Sequence, residues 1–150
     1  MVKRNQMYVK FDAKSINESV ARMVAAAFMM DMNPTLDQIQ DVKTAVSEAV
    51  TNAIVHGYES ENDTGWEEKQ VEMVCTSEDE KITIVIIDKG IGIADIEEAR
   101  QPFYTTKPDK DRSGMGFSFM ETFMDEVFVE SEIGKGTKVT MIKYIERNCE

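Results

Sequence analysis

Cysteine is scarce in this sequence, with two residues among 150, Cys75 and Cys149. They have no metal-binding spacing, and Cys75 falls in a strand-like run where a small buried side chain is expected. No disulfide is expected between them, because thiols stay reduced in the cytoplasm, where we expect the protein to reside. The cysteines therefore predict neither a structural metal site nor a disulfide-stapled domain.

Long hydrophobic runs are also missing. No stretch approaches the length of a transmembrane helix, and no long apolar segment follows the charged residues 1–6, so a signal peptide is not expected. These absences favour a cytoplasmic protein. With 42% hydrophobic residues, a chain of 150 residues suits one domain with a real core, and we expect a single domain over residues 1–150.

Positive charge is in short supply, with 17 Lys and Arg residues against 28 Asp and Glu and a net charge of −11. Such a surface repels a phosphate backbone, which excludes direct nucleic-acid binding and favours a partner with a basic patch. An acidic protein that binds a polyphosphate must bring its few cations to one site. The positions of Lys and Arg are therefore informative.

Two amphipathic helices are predicted in the first third of the chain. The first begins at a capping box, Ser15–Glu18, and fades near Asp31. The second begins at another capping box, Thr35–Gln38, and ends at Gly57. The apolar stripe of the first helix is Ile16, Val20, Met23, Val24 and Ala27. The stripe of the second is Leu36, Ile39, Val42, Val46, Val50 and Ile54, beside Ala45, Ala49 and Ala53.

The rest of the chain is mostly strands joined by short turns. The third strand is nearly all apolar, so we expect it to be covered on both faces or nearly so. A third main helix starts at Gly114–Gly116 and runs to about Met124, and residues 94–101 fit a short helix. The five predicted strands are 6–12, Gln70–Thr76, Ile82–Ile87, Val127–Ser131 and Thr137–Tyr144. This succession predicts a two-layer α/β sandwich, a mixed, mostly antiparallel sheet with helices on one face.

The polar side of the second helix carries Glu48 and Asn52. Residues four apart on a helix lie one turn apart, within roughly 6 Å at their Cβ atoms. Glu48 is a candidate proton acceptor, and Asn52 offers a neutral carbonyl oxygen of the kind that a hard cation accepts. Taken alone, the pair also fits an ordinary solvated helix face.

A glycine-bearing segment, Asp88-Lys-Gly90-Ile-Gly92, directly follows the apolar strand. Asp88 can accept a hydrogen bond from the exocyclic amine of a nucleotide base. Gly90 and Gly92 permit positive φ and let a ligand lie against bare backbone. The alternative is a tight turn between a strand and a helix.

A second glycine-bearing segment, Gly114-Met-Gly116, opens the third helix. Free N–H groups and the helix dipole favour an anion there, so phosphate is the expected ligand. The preceding loop supplies three cations, Lys107, Lys110 and Arg112. The alternative is a flexible basic loop. The pattern is neither a Walker loop nor a dinucleotide-binding fingerprint.

Three elements follow one another along the chain: the helix with Glu48 and Asn52, the glycine segment that begins at Asp88, and the glycine segment Gly114–Gly116. This order resembles the Bergerat-type ATP-binding fold of the GHKL superfamily. The likeness extends from about residue 5 to residue 144 and is most specific in four runs. These runs are similar to the anti-sigma serine kinases of endospore-forming bacteria. They are Ser47–Tyr58, Glu97–Pro102, Thr105–Pro108 and Arg112–Phe117.

The resemblance implies that ATP or ADP binds with Mg²⁺. Asn52 would hold the metal ion against the phosphates, Glu48 would be the catalytic base for a serine hydroxyl, and Asp88 would bind adenine. Arg112 would lie near the γ-phosphate, within a lid formed by Thr105–Gly116. The other implied nucleotide-binding residues are Gly90, Gly92, Ile93, Thr105, Thr106, Lys107, Ser113, Gly114, Gly116, Phe117 and Thr137.

The resemblance also implies partners. They are a sporulation sigma factor (sigma F), an anti-anti-sigma factor phosphorylated on serine, and a second copy of the chain. The amphipathic first strand could lie at the homodimer interface. Arg22, on the first helix, falls where the family contacts the sigma factor, and its guanidinium is expected to face solvent.

The same motifs also occur in three other classes of protein. The ATPase module of a gyrase- or Hsp90-like machine needs a transducer domain, for which 150 residues leave no room. A histidine kinase catalytic domain needs a phosphoacceptor histidine, and His56 is expected to be a cation or packing residue at a helix end. A general-stress anti-sigma kinase is the nearest alternative, against which Glu97–Pro102 and Arg112–Phe117 favour the sporulation type.

Overall fold

A computed structural model describes residues 3–57, 69–93, 96 and 116–145. A 3-10 turn, Met30–Met32, follows the first helix, and a π-helical turn, Ala53–Gly57, extends the second. Within these described ranges, no helix is both long and apolar enough to cross a membrane. In chain order the elements are β1 (Arg4–Asp12), α1 (Ile16–Met29), α2 (Leu36–Asn52), β2 (Gln70–Glu78), β3 (Lys81–Asp88), α3 (Gly116–Phe123), β4 (Glu126–Glu132) and β5 (Gly136–Tyr144).

The five strands form one sheet in the order β1-β2-β3-β5-β4, and every neighbouring pair is antiparallel. Two hairpins, β2–β3 and β4–β5, supply four of the strands. The strand β5 lies between β3 and β4, so the last of the five strands takes a central place. The prediction of a two-layer α/β fold with a mostly antiparallel sheet is confirmed. The predicted short helix over 94–101 falls almost wholly outside the described residues.

Helix α2 begins where its sequence predicts. The Thr35 hydroxyl accepts from the Gln38 backbone N–H at 3.1 Å, and the Gln38 side-chain oxygen accepts from the Thr35 backbone N–H at 2.8 Å. This reciprocal pair satisfies two of the N–H groups that a helix start leaves open. The predicted stripe is buried at Val42, Ala45, Val46, Ala49, Val50 and Ala53. Ile39 and Ile54 of the same stripe are half-buried against the core, and Leu36, in the first turn, has 84% of its surface exposed.

Helix α1 buries a different face from the predicted one. Ile16, Val20 and Met23 are 75%, 54% and 57% exposed, and Ala27 is also exposed. The buried face instead contains Ala21, Ala25, Ala26, Phe28 and Met29. Both faces have apolar residues at helical spacing, so periodicity alone could not choose between them. The small side chains of the alanines let α1 pack closely on α2, which the larger residues of the other stripe would prevent.

The predicted capping box at the start of α1 is also absent. Ser15 has helical dihedral angles, φ −55° and ψ −31°, and its side chain makes no capping hydrogen bond. Glu18 pairs with Arg22 instead. The Asn17 side-chain amide donates to the Asp12 backbone carbonyl at 2.9 Å, which ties the start of α1 to the end of β1.

The helices cover one face of the sheet, and this decides which residues of β3 are buried. Ile82, Ile84 and Ile86 are buried beneath the helices, whereas Val85 and Ile87 point to the other face and are half-buried. The prediction that both faces of this strand would be covered or nearly so was wrong for the second face. Alternate positions of a strand point to opposite faces, and here one of those faces has no second layer among the described residues.

Lys143 fixes the end of α3 that points away from the glycine segments. Its ammonium group donates to the Phe123 carbonyl at 2.6 Å, at the C-terminus of α3, and to the Asp41 carboxylate at 3.2 Å on α2. The Lys143 side chain is 12% exposed. A cation at a helix C-terminus satisfies carbonyls that the helix leaves open. This contact holds α2, α3 and β5 together.

Candidate functional site

Asp88 is a buried carboxylate at the end of β3. It lies directly opposite Thr137 of β5 in the sheet register, and the two residues are 6% and 9% exposed. The Gly90 backbone N–H donates to Asp88 Oδ1 at 2.9 Å, and the Thr137 backbone N–H also donates to the carboxylate. Burial raises the pKa of Asp88 from 3.8 to about 6, while these two N–H groups act in the opposite direction. The sequence predicted this position for a base-binding carboxylate.

The raised pKa of Asp88 predicts a pH-dependent stability. A carboxyl group whose pKa is higher in the folded state than in the unfolded state favours folding when it is protonated. Its contribution is complete below the unfolded value of 3.8 and is lost as pH rises through about 6. Between pH 4 and pH 7 the wild type should therefore lose on the order of 3 kcal/mol of unfolding free energy relative to Asp88→Asn, which has no carboxyl group at this position.

Urea unfolding at a series of pH values measures this difference. Asp31→Asn removes one negative charge from an exposed position and controls for the change in net charge. The assignment is wrong if the difference between wild type and Asp88→Asn does not change across this range.

The two glycines of the Asp88 segment have different roles. Gly92 has φ +80°, as predicted, but its bare Cα faces the Glu132 carbonyl of β4, where a Cβ atom would overlap. Gly90 does not use the positive φ that a glycine permits. Gly90 contributes its N–H group to Asp88 instead. The glycines therefore allow the segment to pack on the β4–β5 hairpin.

A third glycine, Gly136 at the start of β5, makes the matching close approach. It has φ +112°, and a Cβ atom there would overlap the Asp88 carbonyl and crowd the Lys89 backbone. The Gly134 N–H donates to the Ile91 carbonyl at 2.9 Å. The segment after β3 and the β4–β5 turn thus lie backbone against backbone.

Ser131 of β4, a residue with no predicted role, joins these two segments. Its hydroxyl accepts from the Ile93 backbone N–H at 2.7 Å, donates to the Gly136 carbonyl at 2.9 Å and lies 2.8 Å from Thr137 Oγ1. A serine between two glutamates on a strand shows no pattern that distinguishes it from an exposed edge residue. Its role depends on register, since Ser131 is directly opposite Thr137.

Glu48 and Asn52 lie one turn apart near the end of α2, and both are half-buried. The π-helical turn begins directly after Asn52 and packs against β3 and β5, the strands that carry Asp88 and Thr137. Wide turns of this type are often found at functional sites. The turn that directly follows the polar pair therefore lies against the strands that carry the buried carboxylate.

The phosphate-binding half of the predicted site is described in part. Gly116 begins α3, Phe117 is buried, and α3 packs against α2. Ile93 is half-buried, with its N–H group bonded to Ser131. The remaining predicted residues lie outside the described ranges: Thr105, Thr106, Lys107, Arg112, Ser113 and Gly114.

Arg22 lies on α1, away from this site. Its side chain is 38% exposed, so the guanidinium reaches solvent as predicted, although it is not isolated. Nη1 lies 3.4 Å from the Glu18 carboxylate, and Nη2 lies 3.4 Å from the Ser19 hydroxyl. An exposed pair of this type, four residues apart on a helix, contributes about 0.3–0.5 kcal/mol.

Comparison with known families agrees with this geometry. Residues 11–143 match the family described as Histidine kinase-like ATPase domain. The anti-sigma F factor of Geobacillus kaustophilus is 50% identical over 97% of this chain and 96% of its own length. The anti-sigma F factor of Clostridium acetobutylicum is 54% identical over 93% of each chain.

The fold has also been seen in a solved structure. The crystal structure of the RsbU and RsbW domains of a Mycobacterium tuberculosis protein aligns with a TM-score of 0.66 at 17% identity. The alignment covers 97% of this chain and 34% of that one, so this chain corresponds to about a third of the solved protein. At this identity the match concerns the fold alone. From the full-length similarity to its relatives, the chain belongs to the anti-sigma F factor family and has a histidine kinase-like ATPase domain.

Proposed function

We propose that this chain binds and inhibits a sporulation sigma factor, sigma F, and phosphorylates a serine of an anti-anti-sigma factor with ATP. The observation that supports this most is the buried Asp88 carboxylate beside Thr137, on two strands that both contact the π-helical turn directly after Asn52. The alternatives are a general-stress anti-sigma kinase of the same family and a histidine kinase-like ATPase module with another substrate.

The adenine base would lie at Asp88. Each carboxylate oxygen has two acceptor positions, and the N–H groups of Gly90 and Thr137 occupy two of the four. The remaining positions suit an exocyclic amine. Gly92, Ile93 and Thr137 would border the base, and the phosphates would extend towards the start of α3 at Gly116.

Mg²⁺ would bind through the Asn52 side-chain oxygen. The described residues contain no group of three or more His, Cys, Asp or Glu side chains that could hold a metal ion by themselves. Mg²⁺ keeps several waters and often takes one or two protein ligands besides substrate phosphates, so a lone amide oxygen fits this metal. The ion would neutralise charge on the transferred phosphoryl group.

Glu48 would accept the proton of the substrate serine as its oxygen attacks the γ-phosphorus and ADP leaves. The position one turn before Asn52 puts a carboxylate beside the proposed metal ligand. Arg112 would stabilise charge on the γ-phosphate, and Thr105–Gly116 would cover the phosphates. The lid residues bring the cations that this acidic protein otherwise has in short supply.

Arg22 is the proposed partner contact on α1. An arginine pairs with a carboxylate through two parallel hydrogen bonds, and arginine is enriched among residues that dominate binding energy. The internal pair with Glu18 is weak enough to be exchanged for a carboxylate on the sigma factor.

One experiment tests both activities. The purified chain is mixed with Mg-ATP, sigma F and the anti-anti-sigma factor, and phosphoserine and sigma capture are measured for the wild type and Arg22→Ala. We expect the wild type and Arg22→Ala both to phosphorylate the serine of the anti-anti-sigma factor. Sigma capture should be stronger with ATP than with ADP, and it should be weaker in Arg22→Ala than in the wild type. No phosphoserine on the partner would refute the kinase assignment, and sigma capture unaffected by Arg22→Ala would remove this residue from the interface.

A homodimer is the proposed assembly, and α1 offers a surface for it. Its exposed apolar residues follow one another at intervals of four, three, four and three, the spacing of a helix–helix seam. Solvent exposure of so many apolar side chains on one helix face is typical of an interaction surface. The seam consists of Ile16, Val20, Met23 and Ala27 of α1 and Met30 of the 3-10 turn that follows it.

We expect Met23→Glu to prevent dimer formation, because it places a charge in the middle of this seam. Sedimentation at micromolar concentration should give twice the chain mass of 17.0 kDa for the wild type and the single chain mass for the variant. Leu36→Glu is the matched control, since Leu36 is a large exposed apolar residue on α2. A wild type that sediments as one chain would refute the dimer.

A further inference from the structure

Ser131 lies in a row of three side chains that crosses the sheet. Asp88 of β3 is directly opposite Thr137 of β5, and Thr137 is directly opposite Ser131 of β4. Directly opposed residues point to the same face, with Cβ atoms about 5 Å apart. Asp88 and Thr137 are buried, and Ser131 is half-buried. The row therefore lies on the helix-covered face, at the end of the sheet that carries the proposed base site.

The hydrogen bonds of Ser131 leave one consistent arrangement of protons. A serine hydroxyl has one hydrogen, and that of Ser131 is directed to the Gly136 carbonyl at 2.9 Å. The Ile93 N–H donates to the same oxygen at 2.7 Å. Thr137 Oγ1 lies 2.8 Å from Ser131 Oγ, so the Thr137 hydroxyl is the donor in this contact.

The consequence concerns the pairing of Thr137 with Asp88 across β5 and β3. With its one hydrogen committed to Ser131, Thr137 Oγ1 presents lone pairs alone. The Asp88 carboxylate, ionised above its pKa of about 6, likewise presents lone pairs alone. Two adjacent acceptors match a group that carries two N–H hydrogens, as the exocyclic amine of adenine does. The same two acceptors would repel a carbonyl oxygen in that position, as in a 6-oxopurine, because it too has only lone pairs to offer.

We propose that Ser131 is a positioning residue that sets the Thr137 hydroxyl as an acceptor and thereby selects a 6-aminopurine over a 6-oxopurine. This inference rests on the proposed binding of ATP at Asp88. Ser131 does not contact the base. It acts through Thr137, and its second bond to the Ile93 N–H holds the segment after β3 in place.

The test compares the affinities of ATP and inosine triphosphate, which has a carbonyl oxygen in place of the 6-amino group. We expect the wild type to prefer ATP. In Ser131→Ala the Thr137 hydroxyl is free to rotate and donate, so the ATP-to-ITP affinity ratio should fall about tenfold, the effect of one hydrogen bond. Ser131→Thr keeps a hydroxyl and should keep the wild-type ratio.

A double-mutant cycle separates positioning from a general loss of structure. Thr137→Val removes the hydroxyl through which Ser131 acts, so it should lower the ratio by itself. Adding Ser131→Ala to Thr137→Val should then lower the ratio no further. Ser77→Ala is the matched control, because Ser77 is on β2 opposite Ile82, at the far end of β3 from Asp88. It should leave the ratio unchanged.

Each outcome has a separate meaning. A wild type that binds ATP and ITP equally would overturn this inference and leave the proposed ATP binding intact. A wild type that binds neither would overturn the proposed function and this inference with it. If Ser131→Ala lowers the ATP-to-ITP ratio equally in the wild type and in Thr137→Val, Ser131 does not act through Thr137, and the inference is wrong. If Ser131→Ala does not fold, a wild-type ratio in Thr137→Val would overturn the inference.

Discussion

Glu48→Gln should abolish serine phosphorylation while ATP remains bound. The substitution keeps the size of the side chain on α2 and removes the group that accepts a proton. A positioned base typically contributes a factor of about 10²–10⁴ to a rate, so the loss should be of this size if Glu48 is the base. ATP affinity should change little, because the proposed contacts of adenine and of Mg²⁺ are Asp88 and Asn52, which the substitution leaves in place.

The measurement is the rate of phosphoserine formation on the anti-anti-sigma factor at saturating Mg-ATP, with affinity determined separately by calorimetry. Asp37→Asn is the matched control, since it removes an exposed carboxylate from the first turn of the same helix. It should phosphorylate normally. Phosphorylation by Glu48→Gln within a few-fold of the wild-type rate would show that Glu48 is not the base.

Gly136→Ala should cause the largest loss of stability among single methyl additions at the site. The backbone at φ +112° disfavours any residue with a side chain, and the added Cβ would overlap the Asp88 carbonyl. This carbonyl belongs to the backbone at the end of β3, and it cannot move aside as a flexible side chain can. We expect a decrease in the free energy of unfolding on the order of 3 kcal/mol or more.

Gly134→Ala provides the comparison. Gly134 also has a positive φ, +82°, but a Cβ atom there meets nothing within 4 Å. This variant should lose about 1–2 kcal/mol, the cost of the left-handed backbone alone. Urea unfolding of both variants measures the difference, which is the cost of separating β5 from the Asp88 backbone. Equal losses in the two variants would contradict the close approach seen at Gly136.

Prediction from the sequence was most accurate where a local pattern is compatible with one structure only. The α2 stripe, its capping box and the carboxylate at the end of β3 are each set by local spacing, and the structure confirms them except at Leu36. Helix α1 shows the opposite case. It has two apolar faces, and the choice between them depends on how closely its alanines let it approach α2, which the sequence alone does not specify.

Ser131 and Gly90 show a second limit of prediction from sequence. The role of Ser131 comes from hydrogen bonds to Ile93 and Gly136, and from its register with Thr137. Register between strands of different hairpins is not encoded in any single run of residues. Gly90 was singled out because a glycine permits positive φ, whereas in the structure it donates its N–H group to Asp88. The positions of the polar groups in this site are properties of the assembled sheet.

The strand order has a consequence for folding of the chain during synthesis. The hairpins β2–β3 and β4–β5 close over turns at 79–80 and 133–135, so they can form soon after their residues emerge. Strand β1 is made first but has no partner until residues 70–78 follow, because Arg4 pairs with Glu78 and Asp12 pairs with Gln70. Since β5 lies between β3 and β4, the row of Asp88, Thr137 and Ser131 is completed by the last strand to be made. A nascent chain that stops before β5 would have the helix with Glu48 and Asn52 but would lack the completed row at which adenine is proposed to bind.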